Sequence, residues 1–129
     1  MVHTFEYDTR YPGPALPVVD VGLQGIDNQD MTLSLRALVD SGADATFIPL
    51  RHLNRIGARK VDSRTMRESS GLSYPVDIYE VTLQIGSYVV PKVYAAANKT
   101  SAELILGRDV LNYFVVTLNG LAYLVEISQ

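Results

Sequence analysis

The sequence predicts an all-β fold, a closed barrel of short strands. Two observations carry this expectation. Apolar residues recur with a two-residue period in several stretches, and Gly, Pro and Asn-rich intervals punctuate them at the spacing of turns. The chain has 129 residues, 47% of them hydrophobic, which suits one domain spanning residues 1–129.

Taken in order, the first ten residues have two readings. Phe5, Tyr7 and Tyr11 join or cover the C-terminal strand, or residues Val2 to Arg10 form an unstructured arm. After the Pro12–Pro17 region, Val18, Val19, Val21 and Leu23 read as a strand. Met31, Leu33 and Leu35 alternate with Thr32, Ser34 and Arg36, the pattern of a half-buried strand. The run Gln24-Gly25-Ile26-Asp27-Asn28-Gln29-Asp30 between them has turn chemistry and predicts a hairpin. Thr46, Phe47 and Ile48 form another short strand. Pro49 to Ile56 is one helical turn or two, ended by Gly57.

Tyr79, Val81, Leu83 and Ile85 alternate, Gly86-Ser87 turns the chain into Tyr88-Val89-Val90, and Val93 to Ala97 continues the sheet after Pro91. A short helix is expected from Arg108 to Phe114. Val115, Val116 and Leu118 form one strand and Ala122 to Ile127 the last, with Asn119-Gly120 as a type I′ turn signal between them. The strand Tyr123-Leu124-Val125-Glu126-Ile127 is expected to be a bare edge on a single chain, and because an unpaired edge invites association it is expected to serve as an interface.

Composition removes several function classes. Net charge is −3 with both signs interspersed, and no basic stripe points to nucleic acid. There is no cysteine, so disulfides, thiol catalysis and thiolate metal sites are excluded. His3 and His52 have no ligand-spaced partners, so neither a metal nor a cofactor is expected. No Gly-x-Ser-x-Gly elbow, phosphate loop or dinucleotide fingerprint is present. The N-terminus carries Glu6 and Asp8 where a signal peptide needs a basic start and an apolar stretch. No apolar run approaches the ~20 residues of a membrane span. The expectation is a cytoplasmic protein with no membrane partner.

Two runs carry the chemistry. Ala37-Leu38-Val39-Asp40-Ser41-Gly42-Ala43 is an apolar strand that ends by presenting a carboxylate at a tight turn. Leu104-Ile105-Leu106-Gly107-Arg108-Asp109 is a second apolar strand ending in Gly, which gives that turn something to pack against. Asp-Ser-Gly by itself is a common turn, since Asp and Ser bond their own backbone and Gly takes positive φ. The flanking residues and the second run make it specific.

The pair resembles the retropepsin-like aspartic proteases, single-domain homodimeric relatives of the retroviral proteases, and the resemblance extends from about Ala15 to the C-terminus. It implies a closed barrel with a flap hairpin and a short helix near Arg108, and a homodimer acting on a peptide or protein substrate. It implies that Asp40 is catalytic and that Ser41, Gly42 and Ala43 complete the active-site loop. Peptide hydrolysis needs a base for the water and an acid for the carbonyl and the leaving nitrogen. Two close carboxylates sharing one proton serve as both. This chain supplies one Asp-Ser-Gly, so a two-fold dimer must supply the other.

The resemblance also implies that Ser41 reaches across the axis to the partner's loop. Many relatives have Thr there; Ser keeps the hydroxyl and lacks the methyl. Gly107 permits close approach of the backbone behind the loop. Arg108 pairs with Asp44, unless both are solvated surface charges. Asp109 is read as a helix-start residue. Phe47 and Ile105 line substrate pockets, although Phe47 is equally well placed as core. Gly42 and Asp44 bond an extended peptide. The flap is expected over Val61 to Val81, with Gly71 and Leu72 at a tip formed by Ser69-Ser70-Gly71-Leu72, unless this is an ordinary polar loop. Viral flaps tend to carry several tip glycines; this one has one. The competing function is a catalytically inactive dimeric peptide-binding or assembly module of the same fold.

Overall fold

The computed structural model describes residues 1–27 and 30–129. The predicted turn from Gln24 to Asp30 includes Asn28 and Gln29, which lie outside the described residues. The elements in chain order are β1 (His3–Glu6), β2 (Val18–Gly25), β3 (Thr32–Val39), β4 (Phe47–Pro49), α1 (Leu50–Arg55), β5 (Arg59–Arg67), β6 (Ser73–Ile85), β7 (Tyr88–Asn98), β8 (Leu104–Leu106), α2 (Arg108–Leu111), β9 (Val115–Asn119) and β10 (Leu124–Ser128). The fold is all-β, as the alternation predicts.

The larger sheet has the order β2-β3-β8-β4-β7-β6-β5, and an additional β2–β6 pairing closes six of its strands into a barrel. β2 and β3 form the expected antiparallel hairpin, with Val18 opposite Leu38 and Gln24 opposite Thr32. The inward residues of the alternation fill the barrel. Val19, Val21 and Leu23 of β2, Val81, Leu83 and Ile85 of β6, and Leu53 and Ile56 of the α1 region belong to one buried core. Burying a side chain of this size stabilises the fold by about 1.5–3 kcal/mol relative to leaving it exposed. α1 ends before Gly57, which takes φ +66°.

β5 pairs antiparallel with β6 from Arg59 opposite Glu80 to Arg67 opposite Ser73. It lies outside the closed ring and projects with the first half of β6 as a hairpin. A small second cluster sits beneath it: Val76, Ile78 and Ala96 are buried, and Phe47, Met66 and Tyr74 pack against them. β7 is one continuous strand rather than two segments, with Lys92 at φ +56° beside Pro91.

The C-terminal region departs from three expectations. α2 stops at Leu111 instead of Phe114, with Asn112 as its C-cap. The connection after β9 is not a two-residue type I′ turn. Leu124 pairs with Asn119, so residues 120–123 form a four-residue loop and Ala122 and Tyr123 precede the strand. Positive φ falls on Tyr123 (+55°), and the Asn119 side chain accepts the Ala122 N–H at 3.1 Å. That local bond to the side chain offers Asn119 an alternative to the tighter turn.

The third departure concerns the edge. β10 is the middle strand of a three-stranded sheet ordered β1-β10-β9, with Val125 and Ile127 fully buried. The N-terminal segment is therefore an ordered strand, with Phe5 opposite Val125. The apolar alternation of β10 reflects burial of one face, not a bare edge. Among the described residues, no helix is long and apolar enough to cross a membrane.

Candidate active site

β3 runs parallel to β8, pairing Leu38 with Ile105 and Val39 with Leu106. The ladder continues one step further, because the Asp40 N–H donates to the Leu106 carbonyl at 3.0 Å. Asp40 thus leaves the sheet at a position fixed by the second motif. Its carboxylate accepts the Gly42 N–H at 2.9 Å through Oδ1, and its carbonyl accepts the Ala43 N–H at 3.2 Å. The Asp-Ser-Gly turn therefore orients its own carboxylate. Ser41 and Gly42 are exposed at the tip, and Asp40 is half-buried.

The end of β8 is pressed against the chain that follows this turn. A Cβ on Gly107 would lie 2.4 Å from the Ala45 carbonyl oxygen and 2.9 Å from that of Ala43. Both contacts are with backbone, which cannot swing aside, so glycine is required there for approach. The neighbouring Arg108 N–H donates to the Ala43 carbonyl at 2.9 Å.

The Arg108 guanidinium divides its fork. Nη1 donates to the Ser41 carbonyl at 2.7 Å, and Nη2 bonds the Asp44 carboxylate. The contact with Asp44 uses one carboxylate oxygen, not the two-oxygen geometry in which Arg pairs most strongly. With Asp44 86% exposed, the ion pair itself contributes at most about 1 kcal/mol. Its geometric effect is larger, since one side chain joins both ends of the loop from Ser41 to Asp44.

One residue in this arrangement was missed by sequence reasoning. Thr46 is the buried polar side chain of the described core. Its hydroxyl donates to Asp109 Oδ1 at 2.8 Å and accepts the Gly107 N–H at 3.2 Å, while its own N–H donates to Asp109 Oδ2 at 3.1 Å. Asp109 is in the first turn of α2, as expected, but its carboxylate is engaged across the fold. The only sequence signal was a polar Thr opening an apolar strand.

A cleft of about 450 Å³ opens beneath the β5–β6 hairpin. Phe47, Val76, Ala97 and Ile105 supply apolar walls, and Glu68, Asn98 and Lys99 stand at its polar parts. Phe47 pairs with Ile105 in the β4–β8 ladder, so the two expected pocket residues are neighbours. Phe47 also packs on the flap-base cluster, so the core and cleft readings of this residue coincide.

The hairpin tip is closed by bonds from the Gly71 N–H to the Glu68 carbonyl at 2.9 Å and from the Glu68 N–H to the Leu72 carbonyl at 2.8 Å. Gly71 takes φ +91° with nothing near its Cβ position, and Leu72 is 68% exposed. Neither tip residue lines the cleft. Asp44 is also outside it, bordering a separate hollow with Arg64 and Tyr94. Asp40, Ser41, Gly42, Ala43, Gly107 and Arg108 are thus drawn together, Phe47 and Ile105 line the cleft, and Gly71 and Leu72 stand apart at the tip.

Ion pairs brace the base of the hairpin. Asp77 of β6 lies 3.2 Å from the Lys60 ammonium on β5 and 3.7 Å from that of Lys99, beyond β7. The hydrogen bond from Lys60 is the main cause holding the Asp77 carboxyl below the usual carboxylate range, aided by the charges of Lys60 and Lys99 and opposed by burial. Among the described residues, no group of three or more His, Asp or Glu side chains could hold a metal ion.

A closed six-stranded barrel, an Asp-Ser-Gly turn backed by a strand ending in Gly, and a hairpin over an apolar cleft together make up the fold of the retropepsin-like aspartic proteases. Sequence comparison agrees. The profile of the family described as "gag-polyprotein putative aspartyl protease" matches residues 26–113, and the chain belongs to that family. No curated protein matches the sequence.

Solved structures share the fold. A retropepsin-like aspartic protease from Rickettsia conorii is similar with a TM-score of 0.62 at 12% identity, over 98% of this chain and 91% of that one. The EIAV protease in complex with the inhibitor HBY-793 gives 0.61 at 24% identity, over 80% and 91%. The Simian Foamy Virus (mac) protease gives 0.53 at 19%, over 74% and 92%.

Proposed function

We propose that this chain is a homodimeric aspartic endopeptidase whose catalytic dyad is Asp40 and Asp40 of a second copy. The observation that carries the reading is an Asp-Ser-Gly turn, present once per chain, whose carboxylate is oriented by its own Gly42 N–H and which ends the strand that pairs with Ile105 of the apolar cleft under the hairpin. Two carboxylates brought within about 3 Å cannot both ionise, so they hold one proton between them. The ionised member takes a proton from water as the water attacks the peptide carbonyl. The protonated member hydrogen-bonds the carbonyl oxygen, and a proton passes to the nitrogen as the C–N bond breaks. No covalent intermediate, metal or cofactor takes part.

The other residues have supporting roles in this reading. Ser41 extends its hydroxyl toward the partner loop and holds the two turns in register. Arg108 fixes the loop from behind by gripping the Ser41 carbonyl. Gly42 and Asp44 bond the backbone of an extended peptide, which binds as an added strand under the hairpin. Phe47 and Ile105 select apolar side chains around the scissile bond. Gly71 and Leu72 close over the peptide and exclude water.

The test is cleavage of a mixed peptide library from about pH 3 to pH 8, at several protein concentrations, with Asp40→Asn alongside. The reading predicts cuts between apolar residues, inhibition by pepstatin-type transition-state mimics, activity abolished in Asp40→Asn, and specific activity that rises with concentration until dimers saturate. Cleavage that survives in Asp40→Asn would refute it. A confirmed dimer that cuts nothing at any pH would instead favour the inactive peptide-binding or assembly module.

A further inference from the structure

We infer that the second copy docks along the free edge of β9, antiparallel and strand against strand, with no exchange of chain termini between copies. This inference rests on the dimeric reading above and specifies which surface makes the dimer.

The termini are already committed within one chain. β10 has β1 on one side, paired from His3–Ile127 to Glu6–Leu124, and β9 on the other, paired from Leu124–Asn119 to Ser128–Val115. The chain beyond β1 is sewn back as well. The Tyr7 N–H donates to the Tyr123 carbonyl at 2.9 Å, their rings stack, and Asp8 and Leu16 exchange backbone bonds. An exchanged N-terminal strand would have to break all of these contacts.

β9 is different. Among the described residues it pairs with β10 alone, so its other edge offers unpaired N–H and C=O groups. The sequence Val115-Val116-Thr117-Leu118-Asn119 has none of the charges, prolines or bulges that guard an edge against association. Val115 is 60% exposed and Leu118 50%, and the adjoining loop presents a fully exposed Leu121. A strand that pairs with itself across a two-fold axis sets identical residues near one another. Like charges would then repel, and β9 has none.

The edge also leads to the catalytic loop. Alternation places Val116 and Leu118 on one face of β9, and both line a hollow of about 340 Å³ together with Ser41, Arg108 and Phe114. A two-fold axis normal to the sheet produces antiparallel pairing and leaves this face on the same side in both copies. The two Asp40 turns then stand on one side of the joined sheet, facing one axis. Parallel pairing would turn one copy over and put the two turns on opposite faces. Only the antiparallel arrangement completes a site that one chain leaves half-built.

Because the chain lacks cysteine, single replacements report the contact cleanly. Val115→Cys, Thr117→Cys and Asn119→Cys, oxidised at concentrations where sedimentation shows dimer, are predicted to give a covalent dimer at one of the three positions. Leu118→Lys is predicted to shift the equilibrium toward monomer. A double variant, Thr4→Cys with Glu126→Cys, places thiols on register partners of β1 and β10. It is predicted to bridge within one chain and run as a monomer under denaturing conditions. A dimer in which the double variant bridges between chains, and no β9 position cross-links, would overturn the inference and leave the dimeric reading standing. A chain that stays monomeric at every concentration would overturn both.

Discussion

The carboxylate of Asp109 takes two hydrogen bonds from a single residue, Thr46: one from the hydroxyl at 2.8 Å and one from the backbone N–H at 3.1 Å. The two residues lie 63 positions apart, and the bonds tie the start of α2 to the chain entering β4. Because the same hydroxyl accepts the Gly107 N–H, this side chain holds the end of the second motif behind the Asp40 turn.

Thr46→Val preserves shape and removes the hydroxyl. It leaves the Gly107 N–H without its acceptor and the Asp109 carboxylate short of a donor. Each buried group left unpaired costs about 1–3 kcal/mol. The variant is expected to lose stability in that range, measured as a lowered urea midpoint. Unchanged stability would show that the bonds add nothing net.

Gly107→Ala should be more damaging than its single methyl suggests. The new Cβ meets the Ala45 backbone 2.4 Å away, so β8 or the 43–45 segment must move. A stability loss of about 2–4 kcal/mol is expected. Catalytic efficiency should fall further than stability alone explains, because Asp40 takes its position from the Leu106 carbonyl next door. Thermal unfolding and cleavage rates measured side by side test both halves.

The braces under the hairpin predict a pH dependence. The Asp77 carboxyl is held below its ordinary value in the folded state, chiefly by the Lys60 hydrogen bond. A depressed folded-state pKa stabilises the fold above the unfolded-state value of about 4, and the effect is lost as pH falls through the folded-state value. Asp77→Asn should therefore unfold slightly more easily than the parent at neutral pH and match it in strong acid. Hydrogen exchange in β5 and β6 should follow the same course. A difference that grows toward acid pH would contradict this assignment.

What the sequence revealed and what it concealed follow from the range of the interactions. β2, β3 and β6 were legible because each buries one face against the core, and burial writes a two-residue period into the chain. The Asp40 turn and the strand behind it were legible because both are compressed into short runs, Asp40-Ser41-Gly42 and Gly107-Arg108. β5 was legible only through the resemblance, which implies a hairpin over Val61 to Val81: it is exposed along nearly its whole length, so no apolar period marks it, and its form comes from pairing with β6. Thr46 was hidden because its partners are distant in sequence. The central place of β10 was hidden because an apolar strand reads the same whether covered by its own N-terminus or by another molecule. The Asn119-Gly120 signal failed because the Asn119 side chain bonds Ala122 instead.

The central claim is that catalysis needs one Asp40 from each of two copies. The most direct measurement mixes wild-type chain with Asp40→Asn at fixed total concentration, allows subunits to exchange, and reads the cleavage rate against the wild-type fraction. A shared dyad makes mixed dimers inactive, so the rate should fall as the square of that fraction. A rate that falls in simple proportion would mean that each chain carries a complete site, and the shared dyad would be wrong.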